Sequence, residues 1–142
     1  MVSTTDEFLR TSVCNGHLTE QALIRRWWHK AQGSRGRIVW EYCLNGSYAD
    51  AVWFPDSEGP GEECPGQSTK SKYPISGRRV WVCEAKLRLV PELIGQALVY
   101  RELAKAAGGH VEFTIVFAET GAKHMVQAAE ALGLKVVLGR AV

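Results

Sequence analysis

Residues 80–89 read VWVCEAKLRL, and the organisation of the whole chain is legible outward from them. Side chains alternate across a strand, so Val80, Val82, Glu84, Lys86 and Arg88 share one face and Trp81, Cys83, Ala85, Leu87 and Leu89 the other. The β-branched and aromatic content favours a strand over a helix. Glu84 and Lys86 interrupt the apolar run. Buried charge is costly and is normally retained only when it is paired, metal-bound or catalytic.

Two further strands are expected upstream. RIVWEYCL (residues 37–44) alternates Ile38, Trp40, Tyr42 and Leu44 against Val39, Glu41 and Cys43, and NGSYADAVWF (residues 45–54) reads as a turn entering a strand that Asp50 interrupts. Before them, LTEQALIRRWWHKAQG (residues 18–33) is helical. Glu20, Ile24, Trp27, Trp28 and Ala31 fall on one face, while Arg25, Arg26 and Lys30 point elsewhere. Residues 55–79 hold four of the chain's five prolines and almost no aliphatic side chains, so a long loop without strand or helix is expected there.

Downstream the chain alternates. PELIGQALVYRELAKAAGG (residues 91–109) is a helix with Pro91 in its first turn and Gly108 at its C-terminal cap. VEFTIVFAE (residues 111–119) is a strand, GAKHMVQAAEALG (residues 121–133) a helix, and LKVVLG (residues 134–139) a final strand. The order α, β, β, β, α, β, α, β implies a three-stranded meander followed by parallel βαβ crossovers.

The 142 residues suit one domain, residues 1–142, and a composition 46% hydrophobic and 23% charged excludes a disordered chain or a coiled-coil rod. A net charge of +2 does not by itself announce a nucleic-acid binder. The acidic amino terminus is no secretory signal and no segment is apolar enough to span a bilayer, so a cytoplasmic protein without a membrane partner is expected. Cys14, Cys43, Cys64 and Cys83 are spaced 29, 21 and 19 residues apart, unlike close zinc-ligand pairs, and are read as reduced.

If the strand carrying Asp50 neighbours the strand carrying Glu84 and Lys86, two carboxylates and an ammonium converge. Mg²⁺ or Mn²⁺ prefers carboxylate oxygens, carbonyls and water. Asp50, Glu84 and the Ala85 carbonyl could therefore hold one such ion while Lys86 orients a water or offsets developing charge. The ordinary alternative is a salt-bridged Glu84/Lys86 pair on a solvated strand face.

Asp50 followed by Glu84-Ala85-Lys86 on the next strand resembles the signature of the PD-(D/E)XK nuclease superfamily. The helix after it carries Gln96 and Tyr100 at i, i+4, similar to the QxxxY element of the RecB-like branch. Residues 15–118 follow that family's element order, and GHLTEQALIRRWW with GSYADAVWF also resembles archaeal Holliday-junction resolvases. Ala49 stands where the family name has proline, and the cysteines of the iron-sulfur members and any helicase motifs are absent.

The resemblance implies a restriction-endonuclease-like, three-layer α/β/α fold with a central mixed sheet, core order αβββαβ plus a C-terminal αβ. It implies that Asp50 and Glu84 bind the metal, that Glu20 supports it, that Lys86 activates the nucleophile, and that Gln96 and Tyr100 position the site or the nucleic acid. The implied activity is metal-dependent DNA cleavage, endo- or exonucleolytic, with RNA as a further substrate class. A noncatalytic nuclease-fold module that binds DNA or assembles a complex is the alternative. Arg25, Arg26 and Lys30 on the first helix and Lys70, Lys72, Arg78 and Arg79 in the long loop are candidate phosphate contacts. A symmetric homodimer is expected, built on the tryptophan-rich surface and the final strand.

Overall fold

The computed structural model describes residues 16–65 and 73–139. Helix α1 (Gly16–Gln32) is followed by β1 (Arg37–Leu44), β2 (Ser47–Phe54), β3 (Glu62–Pro65) and β4 (Arg79–Ala85). Helix α2 (Pro91–Ala106), β5 (His110–Ala118), α3 (Lys123–Ala131) and β6 (Lys135–Leu138) complete the chain. The six strands form one mixed sheet in the order β3-β1-β2-β4-β5-β6.

The expected meander is present: β1 and β2 pair antiparallel, as do β2 and β4. The crossovers through α2 and α3 make β4, β5 and β6 parallel, as the alternating pattern requires. One expectation fails. The 55–79 segment is not free of strand, because Glu62–Pro65 adds to the outer edge of β1 in parallel register. Side-chain interactions hold it there: Glu62 accepts from Arg37 at 2.5 Å, and Glu63 accepts from both Arg25 and the Trp40 indole, each at 2.8 Å. Such interactions between distant residues leave no local periodicity in the sequence. Lys70 and Lys72 lie outside the described residues.

The two faces of the sheet are covered by different helices, an arrangement compatible with a three-layer α/β fold. Leu23, Ile24, Trp27 and Trp28 of α1 pack on Ile38, Trp53, Cys83 and Phe117. On the opposite face α2 and α3 cover Val116, with Leu93, Ala97 and Ala129 in the contact. Trp53 is fully buried, 4.9 Å from the Trp81 ring and 5.4 Å from Trp27 in edge-to-face geometry. Its indole N–H donates to the Arg35 carbonyl at 2.9 Å, and the Trp28 indole donates to the same oxygen at 2.7 Å. Among the described residues no helix is long and apolar enough to cross a membrane.

The β1–β2 turn fixes the register on which the candidate site depends. Asn45 and Gly46 both take positive φ, 53° and 86°, in the two-residue turn that matches strand twist. Leu44 therefore faces Ser47, Tyr42 faces Ala49 and Trp40 faces Ala51. The intervening Glu41 and Asp50 form no ladder pair, and Glu41 has a φ of 49° inside the strand.

Candidate active site

Asp50 and Glu84, 34 residues apart, are brought into contact at the point where the β2–β4 ladder ends. The last ladder pair is Ala51 with Cys83. Beyond it, side chains replace backbone pairing. The Asp50 amide donates to Glu84 Oε2 at 2.7 Å, and the Ala85 amide donates to Asp50 Oδ2 at 2.8 Å. Each carboxylate is thus anchored through one oxygen by a neighbouring strand's backbone.

Glu84 is only 2% exposed. Burial pushes its carboxyl up to about 9, and repulsion from Asp50 and then Glu20 adds to the shift. The Asp50 amide and the Lys86 charge act in the opposite direction. Glu20 on α1, Asp50 on β2 and Glu84 on β4 therefore share one electrostatic environment, although they come from three elements. Burial also raises the Tyr100 hydroxyl, with Glu84 and Asp50 adding to that effect and the Tyr48 backbone partly offsetting it. Tyr100 thus approaches the same pair from α2.

Lys86 directly follows β4, which ends at Ala85. Its amide donates to the Phe117 carbonyl at 3.0 Å, continuing the pairing of Ala85 with Phe117 on β5, and its ammonium lies 3.7 Å from Glu92 Oε1. Gln96 donates to the same Glu92 oxygen at 3.5 Å. Gln96 and Lys86 thus meet through Glu92, a residue that the sequence does not single out. An acidic residue in the first turn of a helix reads as an ordinary complement to the helix dipole. Only the fold of residues 86–90 brings Lys86 back to it.

The candidate phosphate contacts are dispersed. Arg79, at the start of β4 and so a strand's length from Glu84, is held by Asp56 at 2.6 Å and Glu112 at 2.8 Å. Arg78 lies over the Phe54 ring and reaches Ser57 Oγ at 3.5 Å, and Arg25 is committed to Glu63. Arg26 and Lys30 are exposed on α1 and line a groove of about 250 Å³ with Leu23, Trp27, Val137 and Leu138.

The donor set suits a hard divalent cation. Two carboxylates, a third nearby and a strand-end carbonyl are oxygen ligands, and the mutual repulsion that raises Glu84 is what such an ion would relieve. No group of three or more His, Cys, Asp or Glu side chains forms a ready-made cage among the described residues. Mg²⁺ typically retains several waters and bridges to substrate phosphate, so it does not require one. Cys43, Cys64 and Cys83 are free thiols, and burial pushes the Cys83 thiol well up.

No family model, curated protein or solved structure matches the chain.

Proposed function

We propose that this protein is a metal-dependent nuclease of restriction-endonuclease-like fold that hydrolyses a DNA phosphodiester with Mg²⁺ or Mn²⁺. The observation that carries the reading is the reciprocal clasp, Asp50 amide to Glu84 and Ala85 amide to Asp50, which joins the two carboxylates at the end of a ladder. Carboxylates brought together in a low-dielectric site must share a proton or a cation, and a divalent cation relieves the repulsion between both ionised groups.

In this reading Asp50, Glu84 and the Ala85 carbonyl hold the ion, with Glu20 acting through water. The bound ion supplies Lewis acidity toward the phosphoryl oxygen and a more acidic water. Lys86 orients the attacking water and offsets charge that develops on the phosphoryl oxygens. Glu92 holds the Lys86 ammonium at the rim, and Gln96 steadies Glu92. Tyr100 fixes the Asp50 side of the pocket through the Tyr48 backbone. Arg26 and Lys30 are the proposed phosphate contacts, since their side chains are exposed on α1, the helix that carries Glu20.

The test is a panel of single-stranded, duplex and branched DNA, with an RNA arm, incubated with Mn²⁺ or Mg²⁺ and with a chelator control. Metal-dependent cleavage by the parent, lost in Asp50→Ala, Glu84→Ala and Lys86→Ala, is the expected result. Equal cutting by all three variants would overturn the assignment. DNA bound but uncut by the parent, with no saturable Mn²⁺ binding, would instead identify a noncatalytic nuclease-fold module.

A further inference from the structure

Glu41 has a φ of 49° in the middle of β1, a left-handed conformation that a residue with a Cβ rarely adopts and that a strand does not require. The register on either side is unbroken: Trp40 faces Ala51 and Tyr42 faces Ala49, so Glu41 is the residue opposite Asp50. That single position is missing from the ladder. The alternation of faces also breaks there. Trp40 packs with the α1 layer, whereas Tyr42 packs with Val39 and Phe54 on the other face, and its hydroxyl donates to the Tyr73 carbonyl at 2.6 Å. β2 makes the matching change, with Ala51 in the first cluster and Ala49 in the second.

This departure from the pleat lies beside the place where β2 leaves the β4 ladder and Asp50 turns to Glu84 and Ala85. We propose that the left-handed backbone at Glu41 positions the Asp50/Glu84 pair: by taking one residue of β1 out of the pleat, it lets β2 twist so that Asp50 offers its amide to Glu84 and its carboxylate to Ala85. Glu41 is a positioning residue in this account, and what matters is its backbone conformation rather than its charge. The function served rests on the metal-site reading above, but the geometric claim stands apart from it.

The experiment compares Glu41→Gly, Glu41→Asn and Glu41→Val. Glycine and asparagine accept left-handed φ, whereas valine, being β-branched, strongly disfavours it. Residue-resolved amide exchange on the full chain is read at Asp50 and Ala85, with Val82 and Ile115 as controls for the intact core, alongside Mn²⁺ titration.

The expected result is slow Asp50 and Ala85 exchange in the parent and in the Gly and Asn variants. In Glu41→Val the same amides exchange at least tenfold faster while the controls are unchanged, and Mn²⁺ binds at least tenfold more weakly. Unchanged exchange in Glu41→Val would overturn the proposal. So would equal loss in Gly and Val, which would assign the role to the side chain. Should Glu41→Val fail to fold, Glu41→Thr replaces it. Unfolding of both would assign the position to the fold as a whole and equally overturn the proposal. A parent that binds no Mn²⁺ but shows the expected exchange pattern would refute the metal site alone.

Discussion

Replacing Glu84 with glutamine should remove a pH dependence of stability that the metal-free parent shows. Burial and the neighbouring carboxylates raise the Glu84 carboxyl from 4.5 to about 9 in the folded protein. Between those values the folded state holds a proton that the unfolded chain has released, so stability is present at low pH and falls as pH rises through the window. An isolated group of this kind loses about 1.4 kcal/mol per pH unit, or about 3 kcal/mol between pH 6 and pH 8. Asp50 shares the charge, which spreads the titration, and a loss of about 1 to 3 kcal/mol over that interval is the expected range. Glutamine keeps an oxygen acceptor for the Asp50 amide but cannot ionise. Urea unfolding in chelator at pH 6, 7 and 8 should therefore give a falling stability for the parent relative to Glu84→Gln, with the variant more stable at pH 8. Saturating Mn²⁺ should flatten the parent's slope, because a cation favours the ionised pair. Parallel curves for parent and variant without metal would refute the buried, repelled carboxylate as described.

Other consequences follow from the same geometry. Lys86→Met should lower cleavage by about 10²-fold or more, the scale of a missing proton-handling or charge-stabilising group, while Mn²⁺ binding measured by calorimetry stays within a few-fold of the parent. Arg79→Ala removes ion pairs to Asp56 and Glu112 at the opposite end of β4, so filter binding should show unchanged DNA affinity. Arg26→Ala with Lys30→Ala should weaken DNA binding and reduce the salt slope by about two, one for each phosphate no longer neutralised; an unchanged slope would remove α1 from the interface. Trp53→Ala should cost about 3 to 5 kcal/mol in urea unfolding, because the ring is fully buried among Trp27 and Trp81 and its indole is bonded to the Arg35 carbonyl.

Much of the architecture is readable because its signals are local. Alternation in residues 37–44 and 80–85 marks strands, although the single face it assigns to Ile38, Trp40, Tyr42 and Leu44 splits at Glu41, with Tyr42 and Leu44 packing opposite Ile38 and Trp40; Pro91 and Gly108 bracket α2, and Asn45-Gly46 marks the turn that sets the β1–β2 register. The conjunction of Asp50 and Glu84 is also legible, since unexplained carboxylates on neighbouring strands invite it. Less legible are β3, held by interactions with Arg25, Arg37 and Trp40 from elsewhere in the chain, and the ion pair of Lys86 with Glu92. The commitment of Arg79 to Asp56 and Glu112 is likewise invisible, because a basic run reads alike whether or not acids fold onto it.

The sequence by itself determined the three helices, every strand but β3, and that carboxylates interrupt two strands, because backbone preference and burial period are properties of neighbours along the chain. Tertiary structure alone decided that Asp50 and Glu84 exchange bonds with each other's strands, that Lys86 turns to Glu92, and that Glu41 leaves the pleat opposite Asp50. Those outcomes depend on where the ladder between β2 and β4 stops and on the low-dielectric space that opens there, and neither is encoded within the span of one element.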